Sequence, residues 1–185
     1  MIRVAPSRLD PANLPTNYDF FLATLGFERR ARHIAETFKP QARRLIALGF
    51  PDRHELSYVE NGVWFVGHGY EVSDVSSDIE FVERLKVILS DVSTESDIVG
   101  CVDISSLTRS RMAAIVELCC AGHVKNGASI DFLYSLGAYS PPPDEAAPNT
   151  LFGPISPFFA GWTTNPNKPP VAIVGLGYEE GKALG

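Results

Sequence analysis

Apolar and polar positions along the chain follow two rhythms, short unbroken apolar runs and longer stretches with helical spacing. Residues 18–25 form an almost uninterrupted apolar run that stops at Gly26, as expected of a strand buried on both faces. Ala31, Ile34, Ala35 and Phe38 then recur at helical spacing with arginines on the other side, and Pro40 ends the pattern, which predicts a helix over 28–38. Apolar runs return at 45–50, with Gly49 near the end, and at 62–66, closing on Gly67-His68-Gly69; both predict strands. Ser77 followed by Glu80 makes a capping box ahead of Ile79, Phe81, Val82, Leu85, Ile88 and Leu89, which predict a second helix with a broad apolar face. Runs at 98–104, 130–136 and 171–174 predict further strands. After the first of these, Ser105 to Thr108 supply N-cap candidates for a third helix carrying Met112, Ile115, Val116 and Cys119 before Gly122.

Strands that alternate with helices imply parallel pairing with right-handed crossovers, because a strand buried on both faces must be covered twice. The expected fold class is therefore α/β, a Rossmann-like, mainly parallel sheet with helices on both faces. It forms a single domain over 1–185, with an N-terminal extension over 1–16. The interruption lies at 140–170, a stretch rich in proline, including Pro141-Pro142-Pro143, yet carrying Leu151, Phe152, Ile155, Phe158, Phe159 and Trp162. That mixture is too apolar for a plain linker and reads as an ordered excursion packed on the domain, a lid or a partner surface. The last residues read as a strand, a turn and the start of a helix, so either that helix is short or the chain is one segment of a longer protein.

At 185 residues, 45% hydrophobic and 21% charged, the chain can bury a sufficient core without disulfide or metal staples. A formal charge of −6 argues against general affinity for nucleic-acid backbone, which depends on an excess of Lys and Arg. Local basic clusters remain, at Arg29, Arg30, Arg32 and His33, at Arg43 and Arg44, and at Arg109 and Arg111, and these suit a small anionic ligand. The 3 cysteines are an odd number, and Cys119 and Cys120 fall on what reads as a buried helix face. No disulfide framework follows, and a reducing, cytoplasmic setting fits best. Cys119, Cys120 and His123 lack a second pair of metal ligands nearby, so neither a metal nor another cofactor is expected. The first 15 residues have no signal-peptide core, and no stretch is long and apolar enough to span a bilayer.

In an open parallel sheet, ligands bind beyond the carboxyl ends of strands, where loops and helix N-termini present N–H groups and a positive dipole end. Four loops qualify, and they nominate Thr24, Gly26 and Arg29; Asp103, Ser105, Ser106, Thr108 and Arg109; Gly137; and Gly177 as ligand-binding residues. The second is the richest. Its hydroxyls can donate to phosphate oxygens, and Arg109 can fork onto a phosphate while neutralising it. The structural alternative is helix capping, with Asp103 paired to Arg109 or Arg111. For catalysis, Glu28, Asp103, His68 and Glu179 are the acid–base candidates that strand-end loops would bring to one crevice, but no nucleophile elbow, P-loop or metal motif accompanies them. Gly175-Leu176-Gly177 falls short of a dinucleotide fingerprint, because the next glycine, Gly181, comes one residue late. Phe152, Phe158, Phe159 and Trp162 would serve equally as anchors of a protein-interaction module.

The run Asp103-Ile104-Ser105-Ser106-Leu107-Thr108-Arg109-Ser110 resembles a loop of the CRISPR-associated Rossmann-fold (CARF-like) ligand sensors, in which a strand is followed by Asp, a hydroxyl residue, usually glycine, then Thr or Phe and a basic residue. Leu107 stands where that family usually has glycine. Ala23-Thr24-Leu25-Gly26 is similar to the family's first ligand loop. The resemblance implies a homodimer, or a subunit of a larger complex, that cups a nucleotide or cyclic oligonucleotide and signals to an effector. The expected function is thus a nucleotide- or phosphate-ligand sensor of a bacterial defence or signalling system. The alternatives are a nucleotide-processing hydrolase on the same loops and a non-catalytic interaction subunit, which leaves enzymatic activity open.

Overall fold

A computed structural model describes residues 10, 17–50, 55–92, 97–120, 127–137, 153–161 and 167. The chain divides into two compact units, Met1–Gly137 and Ala138–Gly185, the boundary falling just before the proline-rich stretch. In the second unit the described residues include a short 3-10 turn, Pro157–Phe159, whose Phe158 and Phe159 rings meet edge to face at 5.0 Å.

The first unit is an α/β layer structure. Its strands are β1 (Tyr18–Leu25), β2 (Ala42–Gly49), β3 (Glu71–Asp74), β4 (Ile98–Asp103) and β5 (Ala128–Leu133), all parallel, in the order β3-β2-β1-β4-β5. A 3-10 turn, Arg29–Arg32, runs into α1 (His33–Phe38); α2 (Tyr58–Gly67), α3 (Asp78–Val92) and α4 (Arg109–Cys120) complete the connections. The expectation of a parallel Rossmann-like sheet therefore holds. β1 lies at the centre because nothing polar interrupts it outside its ends: Phe20, Phe21, Leu22 and Ala23 are all buried. Successive side chains point to opposite faces, so Phe20 and Leu22 pack with Ile46, Leu48, Phe81, Leu85 and Ile115 of one core. Phe21, Ala23 and Leu25 join Ala47, Ile34 and Phe65 in the other. Gly100 of β4 has no tolerance for a side chain, since a Cβ there would run into the rings and methyls of Phe20 and Ile130.

Several local expectations change. The run 62–66 lies inside α2 and is not a strand: Tyr58, Asn61 and Phe65 are its buried positions, at helical spacing, while Val63 and Val66 face outward. The strand of this region is β3, whose Glu71-Val72-Ser73-Asp74 has no apolar run to announce it because it is an edge strand that is nowhere fully buried. The predicted helix over 28–38 becomes an extended Glu28, a 3-10 turn and α1, with Lys39 in the left-handed region (φ 46°) turning the chain into Pro40. In α3, Ile79 is exposed, because two residues from Phe81 is about half a turn round the helix and thus the far side. Cys120 is likewise exposed while its neighbour Cys119 is partly buried, since adjacent residues of a helix are about 100° apart and cannot share one buried face. The expected strand at 171–174 lies outside the described residues, as do 1–9, 11–16 and most of the 140–170 excursion.

The capping box at α3 forms with a shift of one partner. The Glu80 N–H donates to the Ser77 hydroxyl at 3.1 Å, and the Glu80 carboxylate accepts from the backbone N–H and hydroxyl of Ser76. Those bonds to Ser76 hold the Glu80 carboxyl below its usual range.

Candidate functional site

From β1 the chain moves outward to β2 and β3, then α3 carries it back to lay β4 on the opposite side of β1. The reversal of direction lies between β1 and β4, and in such sheets the loops leaving the two strands diverge and open a crevice. A cleft of about 440 Å³ occupies that place. Gly26, Phe27, Glu28 and Arg30 line it from the loop after β1, Phe50 from the end of β2, and Ser105, Ser106, Leu107 and Thr108 from the loop after β4.

Both principal loops are held by their own polar groups. Asn61, buried in α2, donates its amide to the carbonyls of Gly26 and Glu28, 2.9 Å each, and so clamps the turn after β1. Gly26 passes so close to the other loop that a Cβ on it would stand 3.1 Å from the Ser106 Cβ. In the loop after β4, the Ser105 N–H donates to the Asp103 carboxylate (2.9 Å), and the Ser105 hydroxyl receives the N–H of Ser135 (2.8 Å). Thr108 caps α4, its hydroxyl accepting from the Arg111 N–H at 3.3 Å. A 12-residue helix thus begins at the cleft, with its positive dipole end there.

Three polar atoms at the carboxyl ends of β1 and β4 have no partner among the described residues: the Thr24 hydroxyl, the Ser106 hydroxyl and the second carboxylate oxygen of Asp103, all buried. Buried polar groups are nearly always paired, so three such atoms within two adjoining segments stand out. Burial pushes the Asp103 carboxyl up to about 6, against the hydrogen bonds from Ser105 and the positive charges of His33 and Arg30. Arg30 is partly desolvated, but the Glu28 carboxylate paired with it and the Tyr134 hydroxyl keep its guanidinium charged.

The cleft takes in some of the nominated ligand residues and leaves out others. Gly26, Ser105, Ser106 and Thr108 line it. Thr24 and Asp103 are 2% exposed and lie in the strand ends beneath it. Arg29 and Arg109 are exposed and do not line the cleft, and Arg30 supplies the guanidinium there instead. Gly137 acts through Arg30: a Cβ on it would come within 2.8 Å of an Arg30 terminal nitrogen, so its lack of a side chain seats that guanidinium. Asp103 pairs with neither Arg109 nor Arg111. Arg111 turns to the other side of the loop, where it is 2% exposed and donates to Asp78 (3.2 Å) and the Val75 carbonyl (3.3 Å).

Among the acid–base candidates, Glu28 lines the cleft and Asp103 underlies it. His68 does not belong there. It follows α2 and precedes β3, which places it at the amino ends of the strands, stacked on Trp64 at 4.0 Å and hydrogen-bonded to the Trp64 carbonyl. Glu179 and Gly177 lie outside the described residues. Sequence reasoning did not single out Phe27, Phe50 or Asn61. Phe50, next to Gly49 at the end of an apolar run, carried a usable signal, whereas the role of Asn61 depends on a helix that the apolar run concealed.

Among the described residues no group of three His, Cys, Asp or Glu side chains is placed to hold a metal ion, and no helix is long and apolar enough to cross a membrane. No known family model matches the chain, and neither does any curated protein.

Proposed function

We propose that the first unit is a sensor domain that binds a small phosphate-bearing ligand, a nucleotide or cyclic oligonucleotide, in the cleft between the loops after β1 and β4. The observation that carries this reading is the buried Ser106 hydroxyl, without a partner among the described residues, in a residue of the cleft wall just before the start of α4. A hydroxyl, a helix N-terminus and a guanidinium suit an anion together, because each places donors or positive charge where a phosphate oxygen would lie. In this reading Arg30 exchanges Glu28 for the ligand, and a second copy of the chain or an effector subunit receives the signal. Free Cys120 on the surface favours a reducing, cytoplasmic setting within a defence or signalling system.

One observation favours a second reading, a hydrolase acting on the same ligand. A carboxyl poised at about 6 beneath the cleft is matched to proton transfer near neutral pH. A thermal-shift screen against mononucleotides, dinucleotides and cyclic oligonucleotides, with chromatography of the mixtures, separates the two. The sensor gives a rise in Tm for at least one of them, no product, and a smaller rise in Ser106→Ala. Product formation transfers the protein to the hydrolases. The absence of any shift rejects both.

A further inference from the structure

Phe50 is held from two directions. Its backbone N–H bonds the hydroxyl of Tyr58, which itself donates to Asp74. The Arg111 guanidinium carbon lies over its ring, 3.9 Å from the centre, and 5.0 Å from the centre of the Phe81 ring, so the cation contacts two aromatic rings. Arg111 is 2% exposed, a costly location for a charge, and its bonds to Asp78 and Val75 fix the guanidinium plane independently of Phe50. A ring has two faces, and the cation covers one. The residue is nevertheless partly exposed and lines the cleft.

We infer that Phe50 is a stacking platform for the planar heteroaromatic ring of the ligand, with Arg111 as the positioning residue behind it. This rests on the reading of the cleft as a phosphate-ligand site and adds the half of the ligand that reading leaves open. The physical case has two parts. An aromatic face fixed before binding loses little side-chain freedom when a ring settles on it. A cation against one face also draws the ring's electron density toward itself, so the opposite face favours a neutral, electron-rich ring such as a purine and disfavours a cationic one. Ser106 and Arg30, across the cleft from β1 and β4, then take the phosphate end.

The probes are adenosine and guanosine 5′-monophosphate and ribose 5-phosphate, which carries the same anion without the base, each titrated calorimetrically into the purified full chain. Base–aromatic stacking corresponds to roughly tenfold in affinity or more, so the nucleotides should bind at least about tenfold more tightly than ribose 5-phosphate. Phe50→Leu, which keeps an apolar side chain but no ring, should remove that excess and leave ribose 5-phosphate binding unchanged, which also reports that the cleft is intact. Phe50→Tyr should retain the excess. Equal binding of nucleotides and ribose 5-phosphate, or a Phe50→Leu variant that weakens both alike, overturns the platform and leaves the phosphate site standing. Binding of none of the three overturns both.

Discussion

Two strand-to-helix loops on the same side of the sheet, the one entering α3 and the one entering α4, use the same kinds of residue to different ends. Entering α3, polar groups meet partners inside the protein: Ser77 caps Glu80, Glu80 returns to Ser76, and Asp78 and the Val75 carbonyl hold Arg111. Entering α4, the Thr108 and Ser105 hydroxyls are engaged, but among the described residues those of Ser106 and, at the neighbouring strand end, Thr24 have no partner, nor has one oxygen of Asp103. The first loop uses its polarity to fix a helix. The second keeps part of its polarity unspent at the point where the sheet opens, and this sets the two loops apart more sharply than residue type does.

That contrast can be broken by substitution. The largest expected effect is on Arg111, which joins α4 to the saturated loop. Arg111→Ala removes the cation packed on Phe50 and Phe81 and takes away the donor to the buried Val75 carbonyl, so urea denaturation should register a loss of about 2–4 kcal/mol. A loss under about 1 kcal/mol would mean that the saturated side is not structural.

Next is Asp103, where the expected sign is opposite. Its folded carboxyl titrates at about 6 against an ordinary 3.8, so the fold favours the protonated form. That contribution to stability is complete below the ordinary value and is lost as the pH rises through 6. Asp103→Asn should flatten the stability curve across this window and, at about pH 7.5, exceed the wild type by about 2–3 kcal/mol. Parallel curves for the two proteins would show that ionising Asp103 costs the fold nothing.

The smallest effects form a matched pair. Ser77→Ala should lose about 1 kcal/mol, the usual worth of an N-cap, whereas Ser106→Ala should stay within about 0.5 kcal/mol while losing ligand-induced stabilisation. Equal losses in the two would place Ser106 among the structural residues.

Much of the scaffold was legible in the sequence, because a strand buried on both faces must be apolar; β1, β4 and the buried second half of β2 announce themselves for that reason, whereas Arg43 and Arg44 hide where β2 begins. Where burial is partial the signal is less dependable: β5 still shows as a run, though displaced by two residues or so, but two other elements are misread. β3 is polar because it is an edge, and α2 passes for a strand because Val59, Val63 and Val66 make its outer surface apolar as well. The glycine turn and hydroxyl loop at the cleft were visible as motifs, but the choice of arginine was not. Arg29, Arg30 and Arg109 are chemically alike, and only the path of the 3-10 turn and the space left by Gly137 select Arg30. Pairing too is set in three dimensions: no spacing rule announces that Arg111 would leave Asp103 for Asp78.

The placing of β4 beside β1 also has a consequence in time. The carboxylate of Asp19 receives the N–H of Val99, 80 residues further along, whereas β1 meets β2 after a much shorter connection. Contacts that close long loops form late and slowly, and a chain emerging from the ribosome makes the near ones first. A nascent chain that has grown only as far as α3 already holds β1, β2 and β3 but has just one wall of the cleft. The cleft is therefore completed only with the last docking steps of the sheet, so that, if the proposed ligand binds there, binding by a newly made molecule doubles as a report that its folding is finished.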